Sequence, residues 1–261
     1  MRIIKKEAKR VFTPTKIPGV DYVINQYIGC QHACKYCYAK FMCKWYKYGK
    51  WGEWVVVKDN LPNLVKNEKP SGTVVMSSVS DPYQPIEREF KLTRRILESM
   101  NKDIALTILT KSKLVLRDLT VFRMFSNIEV GLTVNGFDSS VKAQLEPFSS
   151  SHSERVESLK ELHENKIKNY MFVSPIIPHL VDVKELINET KEFVDSYFFE
   201  FINLKASGRE FREWLKENYP ESYKIVSNNA RLSNYMRSIR DVTKQSKIKV
   251  RGIYAHGTQS L

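Results

Sequence analysis

Ile28-Gly29-Cys30-Gln31-His32-Ala33-Cys34-Lys35-Tyr36-Cys37-Tyr38-Ala39 holds three of the chain's four cysteines within eight residues, in the spacing C-x3-C-x2-C. Three thiolates this close on an irregular loop suit three irons of a cubane cluster. Iron–sulfur clusters ordinarily take four cysteines, so one iron is left without a protein ligand. An open coordination position of that kind is where a substrate or cosubstrate binds. A structural zinc site would instead show paired C-x2-C knuckles, and here only Cys34 and Cys37 make such a pair. A disulfide framework belongs to secreted chains, whereas the first residues, MRIIKKEAKR, are charged and lack the apolar run of a signal peptide. The expected setting is a reducing cytoplasm.

Length and composition agree with a soluble globular protein. The chain has 261 residues, 42% of them apolar, enough for a substantial core. No apolar run approaches the roughly 18 residues of a membrane span, so no membrane partner is expected. The formal charge of +13 is uneven: residues 1–20 carry +5, residues 35–58 carry +5 and residues 205–261 carry +7, leaving the rest at −4. Such a surface steers a polyanion toward a site; the competing reading is a set of solvated lysine-rich faces.

Outward from the cysteines, a basic extended arm (1–20) precedes a strand over 22–28. Helical sequence is expected over 36–46. There Trp45, Tyr46, Tyr48, Trp51 and Trp54 mingle with Lys44, Lys47 and Lys50, a mix suited either to base stacking or to core and turn packing. Apolar runs at 72–79, 104–110, 128–134, 169–176 and 197–202 then alternate with amphipathic stretches at 88–101, 114–125, 153–166 and 183–195. Strand-helix alternation implies parallel strands joined by right-handed crossovers. Six units are too few to close an eight-stranded barrel, so an open α/β (β/α)6 partial barrel over 21–205 is expected. A basic extension over 206–261 has Phe211, Trp214, Leu215 and Tyr219 on a packing helix and a last strand over 248–254. Its Arg231, Arg237, Arg240, Lys244, Lys247, Lys249 and Arg251 suit phosphate contact or a solvated lid, and His256 is a weak candidate for a ligand or proton shuttle. Ligands of such sheets bind at the carboxyl ends of the strands, where Ser77, Ser78, Ser80, Asp81, Thr110, Lys111, Ser112, Thr133, Asn135 and Ser174 fall.

C-x3-C-x2-C with an aromatic before the third cysteine resembles the radical S-adenosylmethionine (radical SAM) superfamily, in which SAM chelates the fourth iron of a 4Fe-4S cluster. The fuller block Asn25–Ala39 resembles the N-x-Y-x-G-C-x-H-x-C-x-Y-C-Y-A of spore photoproduct lyase and its relatives. Ser80-Asp81-Pro82-Tyr83-Gln84-Pro85-Ile86-Glu87, Thr110-Lys111-Ser112, Leu145-Glu146-Pro147 with Arg155, and Pro175-Ile176-Ile177-Pro178 resemble further segments of that family in order.

The resemblance implies the radical SAM partial barrel, with Cys30, Cys34 and Cys37 as cluster ligands. Tyr36 would lie against the adenine; Ser77, Ser78, Lys111, Ser112 and Arg155 would meet the amino, carboxylate and ribose groups of SAM, with Glu146 an alternative for the ribose. Ile176 and its neighbours would pack the adenine. An electron from a donor such as flavodoxin or ferredoxin would cleave SAM, and the resulting 5′-deoxyadenosyl radical would take hydrogen from a substrate, DNA or RNA by analogy. One departure stands out. The lyases carry an extra hydrogen-donating cysteine at the end of the second strand, where this chain reads Met76-Ser77-Ser78-Val79-Ser80. Tyr38 is a candidate hydrogen relay, and Cys43 is the spare thiol, better suited to burial as a small residue than to that role. The alternatives are a radical SAM enzyme acting on a peptide or small metabolite, and a non-enzymatic iron–sulfur or zinc protein that binds nucleic acid.

Overall fold

Apolar runs and the helices between them build a mostly parallel sheet, and a smaller sheet stands beside it. The computed structural model describes residues 1–256. In chain order the strands are β1 (Arg2–Lys5), β2 (Thr13–Pro14), β3 (Tyr22–Ile24), β4 (Tyr27–Ile28), β5 (Trp54–Val57), β6 (Thr73–Met76), β7 (Ala105–Thr110), β8 (Ile128–Thr133), β9 (Asn169–Ile176), β10 (Tyr197–Phe201) and β11 (Val250–Tyr254). The larger sheet runs β11-β10-β9-β8-β7-β6-β3-β2, and every neighbouring pair from β3 to β11 is parallel. Helices Leu92–Ser99, Leu119–Phe122, His152–Glu164 and Val183–Thr190 lie in the crossovers that such pairing requires. The six expected parallel strands are present in order, and the tail adds β11 beyond β10 as a seventh.

The expected first strand divides in two. After β3 the chain turns away at Asn25 and Gln26, whose side chains take over the bonding. Asn25 Oδ1 accepts from Ser78 N at 2.8 Å, and buried Gln26 donates to Thr93 Oγ1 at 2.9 Å. Then β4 pairs antiparallel with β5, and β1 of the basic arm pairs parallel with the other edge of β5. The helix expected over 36–46 shrinks to a 3-10 turn, Tyr38–Phe41, and one α turn, Met42–Trp45.

This small sheet corrects the base-stacking reading of the aromatic cluster. Trp54 is fully buried, with Tyr46 stacked on it at 5.6 Å and Tyr48 and Trp51 edge-on at 5.7 and 6.4 Å. Lys6 and Arg2 of the arm cover Tyr46 and Tyr48. Of the five aromatics, Trp45 alone is 72% exposed. The rings are a second core that holds the arm and the cysteine loop together.

The barrel wall is tightly filled. A Cβ at Gly131 on β8 would stand 2.2 Å from the Tyr170 ring, and the hydroxyl of Tyr170 donates to Ile108 O on β7 at 3.2 Å. Gly131→Ala is expected to destabilise by about 1–3 kcal/mol through overpacking, measurable as a lower denaturant midpoint with unchanged slope.

Candidate active site

The cysteine loop leaves β4 through Gly29, where φ is +86° and a Cβ would stand 2.5 Å from Trp54 O, so both the backbone conformation and the close approach require glycine. Two successive turns follow, with Ala33 N donating to Cys30 O at 3.3 Å and Cys37 N to Cys34 O at 3.2 Å. Cys30 and Cys34 are buried and Cys37 half-buried, all three as free thiols. Burial drives each thiol above its ordinary range. Asp81 and the neighbouring thiols push Cys30 further the same way, while Lys111 pulls Cys34 and Cys37 back. Thiols so placed need a cation to ionise.

Residues 80–87 form the cradle of this loop. Ser80 Oγ donates to Gly29 O at 2.7 Å, Gln84 Oε1 accepts from Gln31 N at 2.8 Å, and Gln31 Oε1 accepts in turn from Ile86 N. His32 is buried 3.4 Å from Asp81, which also accepts from Thr110 Oγ1 at 2.6 Å and Lys111 N at 2.8 Å. Burial opposes ionisation of Asp81, but His32 and these hydrogen bonds prevail and hold its carboxyl below the ordinary value. Beneath the cradle, Tyr27 donates to buried Glu87 at 2.5 Å, and Arg117 reaches Glu87 at 2.7 Å and Asp118 at 2.9 Å. Sequence reasoning assigned no role to Gln31, Gln84 or Glu87. Gln84 and Glu87 fall in the D-P-Y-Q-P-x-E segment and Gln31 in the cysteine block itself, which is the signal the sequence offers for them.

On the other side the loop meets a buried ionic network. Tyr36 donates its hydroxyl to Glu146, which also takes Asn135 Nδ2 at 2.8 Å and pairs with Arg155. Arg155 is turned wholly toward protein, donating to Ser149 Oγ at 2.6 Å, Thr133 O at 3.0 Å and Ser150 O at 2.9 Å. These bonds leave the ribose-contact expectation for Arg155 and Glu146 without a free polar face. Burial pushes the Glu146 carboxyl up, yet Arg155 and Lys111 outweigh it and hold its pKa down at about 2. Lys111 Nζ lies 5.9 Å from the Tyr36 ring centre and makes no ion pair among the described residues. Phe211 closes the ring's edge at 6.1 Å.

The remaining expected residues separate. Ser112 Oγ accepts from Leu114 N at 3.3 Å and caps the following 3-10 helix, Lys113–Asp118. Ser77 Oγ donates to Gln26 at 3.0 Å, and Ser78 Oγ bonds Asn25. Ile176 is sealed in the core. Cys43 is half-buried against the Trp54 cluster. Tyr38 is 52% exposed and donates its hydroxyl to Ser78 O.

The Radical SAM superfamily model matches residues 24–194, the span from the end of β3 to the loop before β10. The chain belongs to the radical SAM superfamily. An uncharacterised protein of Methanocaldococcus jannaschii is 58% identical over 256 residues, covering 98% of each chain. An uncharacterised protein of Acidianus two-tailed virus is 26% identical over 216 residues, 74% of this chain and 71% of its own. Among solved structures, a spore photoproduct lyase variant bound to SAM and a dinucleoside spore photoproduct matches with a TM-score of 0.68 at 16% identity, covering 97% of this chain and 82% of the other. Streptococcus suis SuiB bound to SAM matches with a TM-score of 0.50 at 13% identity, covering 91% and 50%.

Radical SAM proteins carry a 4Fe-4S cluster and SAM, and the donor set fits both. Among the described residues no group of three or more His, Cys, Asp and Glu side chains is gathered around a single metal ion. A cubane asks instead for one thiolate per iron, which three cysteines on consecutive turns can supply, and Lys111 acts on Cys34 and Cys37 beside it. No helix among the described residues is long and apolar enough to cross a membrane.

Proposed function

We propose that the chain is a radical SAM enzyme acting on nucleic acid in a reducing cytoplasm, with Cys30, Cys34 and Cys37 holding the cluster. When bound, the cluster supplies the electron, from a flavodoxin- or ferredoxin-type donor, that cleaves SAM reductively. This chain's residues do the rest. Lys111 pairs with the carboxylate of SAM, the Tyr36 ring flanks its adenine, and the backbone at Ser77 borders the site at the end of β6. The barrel excludes water from the reacting atoms.

The observation that carries the substrate reading is the charge around the loop. Helix Arg209–Asn218 packs on it through Phe211, and Lys40 reaches Glu210 at 3.8 Å. Lys35 stands over Trp214 of that helix, whose own bases are balanced by Glu210, Glu213 and Glu217, so the positive charge is that of residues 35–58, +5 in all. The tail's basic residues divide differently. Arg251 is held by Glu129 at 2.5 Å, and Lys247 and Lys249 precede β11, at the amino end of the parallel sheet, away from the loop. Phosphate contact by those three is thus set aside. The solved lyase of similar fold was bound to a dinucleoside photoproduct, which supports a nucleic-acid substrate. Met76, Ser77 and Ser78 offer no thiol where the lyases have one, which favours a modification or a repair that ends differently.

A titration of a duplex DNA across salt concentrations tests this. Contact with about four phosphates gives a log–log slope near −3.6; a slope near zero removes the nucleic-acid reading.

A further inference from the structure

The face of each barrel strand can be read from what its alternate residues touch. On β10, Tyr197 Oη lies 2.9 Å from Thr190 on the helix Val183–Thr190, and Phe201 meets Tyr235 of the helix Asn229–Gln245 edge-on. Tyr197, Phe199 and Phe201 therefore face the helices, and Phe198 and Glu200 face the barrel interior. On β9, Met171 touches Thr190, so Tyr170 and Phe172 also point inward. Phe198 packs edge-on to Tyr170 and Phe172 at 5.7 and 6.3 Å and stacks with Tyr254 at 6.3 Å. These rings make an aromatic floor, half-buried at Phe172, Phe198 and Tyr254.

Glu200 stands next to that floor, nearer the carboxyl ends. There β9 uses three steps, from Val173 to Ile176, against two on β10, from Phe199 to Phe201. Such a bulge re-aims side chains, and Pro175 has no N–H to give the ladder. The result brings Ser174 Oγ to donate to Glu200 Oε2 at 2.8 Å, while His256 Nε2 lies 2.9 Å from Oε1. The carboxylate is still 30% exposed, and each oxygen keeps an unused lone pair. Among the described residues no Lys or Arg pairs with it. A carboxylate braced by two neighbours, beside half-buried aromatic rings and toward the carboxyl ends of the strands, is built to receive a flat group that donates hydrogen bonds.

We propose that Glu200 recognises the substrate by accepting the ring N–H of a nucleobase, of the imide or lactam type found in thymine, uracil and guanine, while the base lies on the Phe172–Phe198–Tyr254 floor. This rests on the nucleic-acid reading above. The ring N–H of these bases is their most acidic, hence the strongest donor to a carboxylate. A cationic side chain of a peptide would also suit Glu200, but the lysines and arginines beside the loop repel it.

The test uses the cluster-loaded protein with SAM and no reductant, so nothing turns over. The probes are fluorescein-labelled decathymidylate and the same oligomer methylated at N3 of every base, which keeps all phosphates and puts a methyl group in place of each N–H. Wild type is expected to prefer the unmethylated probe by about ten- to a hundredfold. Glu200→Ala abolishes the preference, and Glu200→Gln, which keeps one acceptor oxygen, retains part of it. Both variants should load iron as wild type does, so that any lost preference is one of recognition. Equal binding of the two probes by wild type, or an undiminished preference in Glu200→Ala, overturns the inference alone. Failure of both probes to bind overturns the nucleic-acid reading with it. A lysine-containing peptide that binds instead, and weakens in Glu200→Ala, reassigns the carboxylate to an ammonium.

Discussion

Alanine at any one of Cys30, Cys34 or Cys37 is expected to abolish iron loading and bring 5′-deoxyadenosine formation from SAM to background, while Cys43→Ala stays within about twofold of wild type. The three thiols differ from the fourth in setting. Cys30, Cys34 and Cys37 occupy two consecutive turns held from one side by residues 80–87 and from the other by Tyr36 and Glu146. Cys43 lies on the next helical turn, against the Trp54 core. A cubane already one protein ligand short has no spare thiolate to lose. Iron and sulfide analysis with the visible absorption of the reconstituted protein checks the loading. Loss of iron in Cys43→Ala alone would contradict the assignment.

The second large effect is expected at Glu146 and Arg155. Both are fully or almost fully buried, so Arg155→Met leaves a carboxylate without its cation and Glu146→Ala leaves a guanidinium without its anion. Removing one partner of a buried pair costs about 3–5 kcal/mol, roughly 6–20 °C in melting temperature for a chain of this size. Replacing both together, Glu146→Met with Arg155→Met, should restore much of that loss, because the double variant buries no uncompensated charge. Thermal melts of the three variants test it, and a double variant no better than the singles would show that the hydrogen bonds, rather than the charges, dominate. The pair also sets an acid limit. Because the folded carboxyl is held down to about 2 from 4.5, its stabilisation is fully present above the unfolded value and is lost as pH falls through the folded one. Wild type should therefore lose stability between roughly pH 4.5 and 2 more steeply than the double variant.

The parallel strands were legible because their apolar runs are long and the intervening helices carry period-3.6 faces, as at Val156, Leu159 and Leu162. The break after Ile24 was not, because nothing local announces that Asn25 and Gln26 bond residues more than fifty positions away. Trp54-Val55-Val56-Val57 is a plain strand sequence, but the aromatics and lysines before it suggested a nucleic-acid surface until Lys6 and Arg2 were seen to cover Tyr46 and Tyr48. The cluster cysteines are readable because their spacing is local. The hydroxyls are not: Ser112 caps a helix and Ser77 supports Gln26, and whether a strand-end serine serves protein or ligand depends on a distant partner. Arg155 illustrates the same limit, since only the fold shows Glu146, Ser149 and Thr133 around it. Glu200 was read simply as part of a strand, and its inward face follows from what Tyr197 and Phe201 touch.

The most direct measurement is anaerobic reconstitution with iron and sulfide, reduction with dithionite, and chromatography of the products formed from SAM. The account predicts 5′-deoxyadenosine and methionine in wild type and neither in Cys34→Ala. An iron-loaded, reduced wild-type protein that leaves SAM intact would contradict it.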